Sequence, residues 1–471
     1  MTTIAAWEDD PVGTVLEPEP PANKPVEKGE PDFDAPTLKV GVQADHRPDP
    51  AVYDVGDPKF RYWALADALV RGATYWSARV PDGTSWQPDN GPTLVAVLDE
   101  GEDLNAYYDR NGLHFFHGTV RSTTVYSGES PDVVCHELGH AVLDAVKPHL
   151  FDVASIEVAA FHEAFGDCSA ILSNLQLQSF RDAVLIETGG LVSVASRLSR
   201  LAETLGWAIR QLSPDAVSSD CLRSAANSFY YQAPALLPPR APATSLSSEP
   251  HSFSRVFTGG FFRALGGMFF LQDEQTEAAL ATASEDAGQL LLEGVRRSPV
   301  VPAFMSQVAA HMVQADSDMF GGRYRRAILN GFVGSGVLSV RSAAQLAPER
   351  QLGAVSELSA AREDGEPAQM LLTGSTFGLP SDLVVRAASQ PRRFGVAGGL
   401  PDRGDAPVAA PDEAAGSFVE DLLRRGRIAA EGIDVGDAPI AEPRYATHSI
   451  VTADGVLELR RRRFDCGFGV H

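Results

Sequence analysis

Two histidines four residues apart, His136 and His140, with Glu137 directly after the first, are the residues of this chain best suited to chemistry. On a helix, four residues make one turn plus about 40°, so both imidazoles leave the same face. Two imidazoles on one face can share one zinc ion, and a carboxylate beside them can take a proton from a water held there. A catalytic zinc site needs a third protein ligand and an open position. Glu163, in Phe161-His-Glu-Ala-Phe-Gly-Asp167, is the candidate. On a second helix Asp167 would share its face and could accept the ring N–H of a ligating histidine, which fixes the tautomer. The expectation is one zinc ion on His136, His140 and Glu163, with Glu137 as the base.

One zinc needs no more ligands than these, so His114, His117, His149 and His162 read as structural histidines. Cys135 lies inside the motif but off its histidine face, and reads as packing. The four cysteines, Cys135, Cys168, Cys221 and Cys466, show no CxxC spacing and are expected to be free thiols.

The elements that must position these groups follow from pattern and punctuation. Pro131 opens the motif helix at its first turn. Residues 59–80 carry apolar groups at helical spacing, Thr93–Leu98 reads as a buried strand, and 112–118 and Thr123–Tyr126 suit further strands. Residues 155–175, 193–212, 252–272, 276–296, 301–315, 322–334 and 412–425 read as helices. A terminal hairpin, Thr447–Val451 with Val456–Arg461, turns at Asp454-Gly455. The arginines at 460–463 read as a solvated strand edge. The fold class is therefore α+β, with an α/β region over 59–150 ending in the motif helix and a helical region over 151–340. Residues 1–58, rich in Pro, Asp and Glu, read as a disordered or extended arm, and 341–471 as a C-terminal extension of unknown role. Deletion of 1–55 is expected to leave the 60–340 core intact.

Of the 471 residues, 44% are hydrophobic and 21% charged, enough for a large core. The net charge of −23 argues against nucleic acid or an anionic membrane as partner. No apolar run is long enough to span a membrane and the first residues lack a signal-peptide pattern. A cytoplasmic location is the default reading, and export without an N-terminal signal stays open.

The motif and its surroundings resemble the thermolysin-type zinc metallopeptidases. These carry HExxH on one helix and a ligand glutamate some twenty residues on in a Glu-Ala-x-x-Asp sequence, matched by Glu163 and Asp167. The resemblance covers about 60–340 and implies two lobes, an N-terminal sheet-and-helix lobe and a helical one, with the zinc in the cleft between them. Asn105-Ala-Tyr-Tyr108 is similar to the family's edge strand, which implies that the Asn105 side chain and Ala106 carbonyl hold a protein or peptide substrate. Pro250–Phe262 resembles the segment bearing the family's transition-state histidine, here His251. Cys221-Leu-Arg-Ser224 resembles the segment whose arginine, here Arg223, binds a substrate carbonyl and supports the ligand glutamate. Val133 and Leu222 match the walls of an apolar pocket for the side chain after the scissile bond. The function implied is a zinc endopeptidase, with Glu137 and His251 catalytic.

The sequence departs from that pattern in several places. The family tyrosine that helps hold the oxyanion is matched in spacing by Phe151, with His149 a conceivable substitute. The acid orienting the catalytic histidine falls at Leu246, with Glu249 the nearest replacement. Asp132 matches a calcium ligand, but Asn174 stands where its carboxylate partner would be, so the case for calcium is weak. Two alternatives remain: a relative that keeps the metal structurally and binds through its cleft, and a zinc amidase acting on a non-protein substrate.

Overall fold

A computed structural model describes residues 2–11, 23–346, 367–390, 409–430, 433–436, 438–453 and 455–466. Its architecture is α+β, with helices over much of the middle of the chain and two five-stranded sheets.

The motif helix, Pro131–Val146, starts at Ser130, whose Oγ accepts from the Val133 N–H at 3.3 Å. Pro131 sits in its first turn, where a missing N–H leaves no bond unmade. The helix Ile156–Asn174 begins the same way, with Ser155 accepting from the Val158 N–H. It is buried along its whole length, which suits its nearly unbroken apolar sequence. These two helices meet backbone to backbone. A Cβ at Gly139 would stand 2.9 Å from the Gly166 Cα, and one at Gly166 would stand 2.7 Å from the His136 ring. Two glycines therefore let Glu163 and Asp167 rise beside His136 and His140.

The sheet beside the motif helix runs in the order Phe464–Asp465, Ala106–Tyr108, Leu113–Phe115, Leu94–Val97, Val40–Val42. Its first two junctions are antiparallel and its last two parallel. Ala106–Tyr108, expected at the edge, is an interior strand here because Phe464–Asp465 pairs along its outer side. The second sheet runs Ala368–Leu372, Leu383–Ala387, Val456–Arg461, His448–Ala453, Ile428–Ala430. The expected hairpin is present, with Ile450 opposite Leu459. Gly455 turns at φ 80°, a left-handed angle that suits glycine, while Asp454 lies outside the described residues.

The helices Pro250–Phe270, Glu277–Arg297, Phe304–Phe320, Arg325–Gly334 and Pro411–Arg425 fall where periodicity places them. The helix expected over 193–212 spans only Glu203–Leu212, because Ala202 turns left-handed at φ 52° just before it. Gln178–Thr188 is a helix that the sequence reading passed over. Only four of its residues are buried, so its apolar stripe is thin.

The N-terminal stretch corrects a larger expectation. Thr3–Ala6 pairs antiparallel with Val26–Gly29, and Val40–Val42 joins the first sheet. Ile4 and Ala6 pack on Tyr62, Trp63 and Ala66, while Ala5 and Trp7 pack on Phe60 and Ala64. The helix Pro58–Ser77 is apolar on several sides, and these strands cover the side that the core does not. The expected arm is thus a packed layer wherever it is described. Among the described residues, no helix is long and apolar enough to cross a membrane.

Candidate metal centre

The motif helix and the helix after it bring His136, His140 and Glu163 together, with ligand atoms all within 4.8 Å of one another. Glu163 Oε2 stands 3.3 Å from His136 Nε2 and 3.6 Å from His140 Nε2. A tetrahedral ion with bonds of about 2.0–2.1 Å sets its ligand atoms about 3.4 Å apart, which these distances match. His140 Nε2 makes no hydrogen bond among the described residues although its residue is fully buried. A buried imidazole nitrogen left without a partner beside a second imidazole and a carboxylate is the donor arrangement that a metal site presents. The residues therefore fit a metal ion.

Each ligand is held from behind. His136 Nδ1 donates to Asp167 Oδ1 at 3.0 Å, which leaves Nε2 to face the centre. His140 Nδ1 lies 2.8 Å from His162 Nδ1, so one ring donates and the other accepts. His162 is thus a structural histidine with a specific task, orienting His140. Asp167 also accepts from Arg223 Nη2 at 2.8 Å. Burial raises the Asp167 carboxyl, but Arg223 and His136 outweigh it and hold it at about 2. It remains a charged acceptor. Burial likewise works against charge on Glu163, yet His251 and His140 bring it well below the ordinary carboxylate range.

Glu137 is fully buried, and neither carboxylate oxygen has a hydrogen-bond partner among the described residues. Burial pushes it up to about 7, partly offset by His136. His251, at the start of Pro250–Phe270, reaches Glu163 Oε2 with Nε2 at 3.1 Å and Glu249 Oε1 with Nδ1 at 2.7 Å. Glu249 therefore orients this imidazole, as the sequence suggested, and doubles as the helix cap, accepting from the Ser252 N–H at 2.9 Å. Burial lowers the His251 pKa, but the two carboxylates prevail and raise it to about 10.

Arg223 lies against Asp167 rather than Glu163, and its Nη1 has no partner among the described residues. The Asn105 side chain accepts from the Ala106 N–H at 2.9 Å, just ahead of the strand Ala106–Tyr108. Leu222 lines a cavity of about 820 Å3 whose wall also carries Arg223, Arg240, His251, Arg255 and Arg425. Val133 is packed instead in the core at the head of the motif helix. The cavity lining is largely apolar, with Ala216, Ala243 and Leu423 beside Leu222 and the guanidinium groups set among them. Phe151 is buried, edge-on to Tyr108 with ring centres 6.2 Å apart, whereas His149 is exposed beside it. His149 is therefore a poor stand-in for a tyrosine hydroxyl.

Asp132 has carboxylate neighbours in Asp9 and Asp10, but its own oxygens are already taken. Its oxygens accept from Asn174 Nδ2 at 2.6 Å and from the Ala202 N–H at 2.9 Å. His114 pairs with Glu100 and Asp109, and His117 with Asp99. Cys135 donates weakly to the Ala68 carbonyl, away from the histidine face. Two of the arginines read as a solvated edge instead cover rings. Arg461 lies over Phe464, and Arg463 over Tyr107. Sequence reasoning missed Phe464 and Cys466 at this centre altogether. Phe464 stacks on His162 and His140, and Cys466 forms a second potential ligand group with His136 and Glu137. An isolated cysteine near the end of the chain gave no spacing to find it by.

No protein-family model matches the chain, and a comparison with curated proteins finds no match.

Proposed function

We propose that the chain is a zinc-dependent endopeptidase of thermolysin-like, two-lobed build. The observation that carries the reading is the convergence of His136, His140 and Glu163 beside a fully buried Glu137 whose carboxylate oxygens are unpartnered. A zinc ion held there supplies a Lewis acid that lowers the pKa of a water toward about 7. Glu137 takes that water's proton as it attacks a peptide carbonyl, then delivers it to the leaving amine nitrogen. The raised affinity of Glu137 for a proton suits both halves of this exchange. His251, oriented by Glu249, donates from Nε2 to the carbonyl oxygen as that atom becomes anionic. Arg223 offers its unpartnered Nη1 to a substrate carbonyl. Asn105 and the Ala106 carbonyl align the peptide as an added strand.

Elemental analysis and casein digestion test this together. About one zinc per chain is expected, lost in His140→Ala and Glu163→Ala and kept in Glu137→Gln, which stops turnover. Zinc retained in both ligand variants would overturn the reading. A structural, non-catalytic metal is the second reading, favoured by Phe151 in place of a hydroxyl donor. Zinc retained with no casein turnover in the wild type or in any variant would support it.

A further inference from the structure

A buried thiol lies beside the proposed base and one of the proposed metal ligands. Cys466 Sγ, one ring nitrogen of His136 and one carboxylate oxygen of Glu137 all lie within 4.8 Å of one another. Cys466 is 1% exposed. The thiol is a close polar neighbour of the buried Glu137 carboxylate and the His136 ring, and His140 Nε2 is buried with no hydrogen bond among the described residues. The space between these groups is furnished for a cation.

The cysteine is carried there by a strand. Phe464 and Asp465 pair antiparallel with Tyr108 and Tyr107, and the Cys466 N–H donates to the Ala106 carbonyl at 2.8 Å. Ala106 is the residue whose carbonyl the proposed function assigns to a substrate peptide. Phe464 stacks on His162 at 3.8 Å and on His140 at 4.9 Å between ring centres. Arg461 covers Phe464 and donates to the Phe151 carbonyl at 2.7 Å, holding the segment against the turn that follows the motif helix. An extended segment added to a sheet edge is how peptides commonly bind such edges, and here the chain supplies the segment itself.

We propose that Cys466 is the fourth ligand of the metal held by His136, His140 and Glu163, and that the segment 464–466 thereby keeps this chain latent. The proposal rests on the metallopeptidase reading above. Four protein ligands make a closed site, whereas three leave a position for water. Bonds of about 2.3 Å to sulfur and 2.0–2.1 Å to nitrogen would set Sγ about 3.6 Å from each imidazole nitrogen of the site. Cys466 stands within 4.8 Å of a His136 nitrogen but forms no such group with His140 or Glu163 among the described residues, so ligation draws the sulfur in toward those two residues. On ligation the Cys466 S–H bond breaks, its proton goes to solvent, and the thiolate sulfur takes the position that a water leaves. No electrons change hands. Withdrawal of the strand reverses each step. Because the strand is tethered, its effective concentration is on the order of millimolar, so dilute peptides compete poorly.

The test uses zinc-loaded full-length protein, with X-ray absorption at the zinc edge and casein hydrolysis as separate readouts. The wild type should show one sulfur at about 2.3 Å, absent from Cys466→Ser at unchanged zinc content. Cys466→Ser should turn over casein at least about tenfold faster. Phe464→Ala keeps the thiol but loses the ring stack, and should fall between the two. The wild-type spectrum needs no variant: zinc bound without a sulfur neighbour overturns the ligand assignment and leaves the peptidase reading standing. A sulfur neighbour with no gain of turnover in either variant overturns the latency. A wild type that holds no zinc overturns the metal reading itself.

Discussion

The two terminal regions reach the motif helix from opposite ends and do different work there. On the N-terminal side Asp10 accepts from Ser130 Oγ at 2.6 Å, from the Thr204 N–H at 2.8 Å and from the Thr204 hydroxyl. One carboxylate thus ties the heads of two helices together, and its contacts stop at the scaffold. On the C-terminal side Phe464 and Cys466 touch the rings and the carboxylate that would do chemistry. Both stretches had been expected to lie outside the core. Acid-rich composition spoke of the solvated parts of the first stretch and concealed Ile4, Ala5, Ala6 and Trp7, which are buried. A few well-placed side chains decide whether a segment packs, and an average over sixty residues hides them.

This contrast can be broken most severely at Glu137. In a Cys466→Ser background, Glu137→Gln should reduce casein turnover by about 10²–10⁴ with zinc retained, the scale of a lost general base. A loss of zinc or of fold instead would make Glu137 part of the scaffold. Next in size is Trp7→Ala. Trp7 is buried edge-on to Phe60 and donates to Glu129 at 3.1 Å, so its removal should cost about 3–5 kcal/mol in denaturant unfolding. Zinc content in the folded fraction should not change. A cost near zero would return the N-terminal stretch to the role of a loose arm.

His251→Ala should lower turnover by about 10²–10³ while keeping zinc, because the Phe151 position offers no hydroxyl to share the oxyanion. His149→Ala should change turnover little, since that side chain is exposed. Reversal of the two results would move the oxyanion donor to the wrong side of Phe151.

The smallest effect concerns pH and sharpens the N-terminal half of the contrast. Burial raises the carboxyls of Asp10, Asp132 and Glu203, bringing Asp132 to about 7 and Glu203 to about 9. Folded-state values above the unfolded ones mean that the folded chain binds more protons. The stability these groups contribute is fully present below about pH 4 and is lost as pH rises through about 7 to 9. Melting temperature should therefore decline across that window, and Asp10→Asn should flatten the decline. An unchanged slope would show that the three carboxyls do not titrate as a cluster.

Much of the centre was legible because its parts are local. HExxH on a helix opened by Pro131, and a glutamate and an aspartate four apart on the next, are short-range signals. Gly166 was visible as a letter but not as the gap that His136 fills. Asp10 beside the scaffold and Phe464 and Cys466 at the centre lie in or after distant strands of two to four residues, too short to announce a period. Their positions are set by which backbone pairs with which, and nothing within a window around Cys466 encodes Ala106. The second sheet was half readable for the same reason. Its hairpin carries a turn signal, whereas its parallel junctions of Leu383–Ala387 with Val456–Arg461 and of Ile428–Ala430 with His448–Ala453 carry none.

The pairing of Phe464–Asp465 with Ala106–Tyr108 also imposes an order in time. All three metal-ligand candidates and His251 leave the ribosome well before residue 464 is made. At about 5–20 residues per second the interval is on the order of tens of seconds. Throughout it the strand Ala106–Tyr108 lacks the partner that Phe464–Asp465 later supplies. A nascent chain and a finished one therefore present two different surfaces to the cell, and the change from one to the other is made by the last strand synthesised among the described residues.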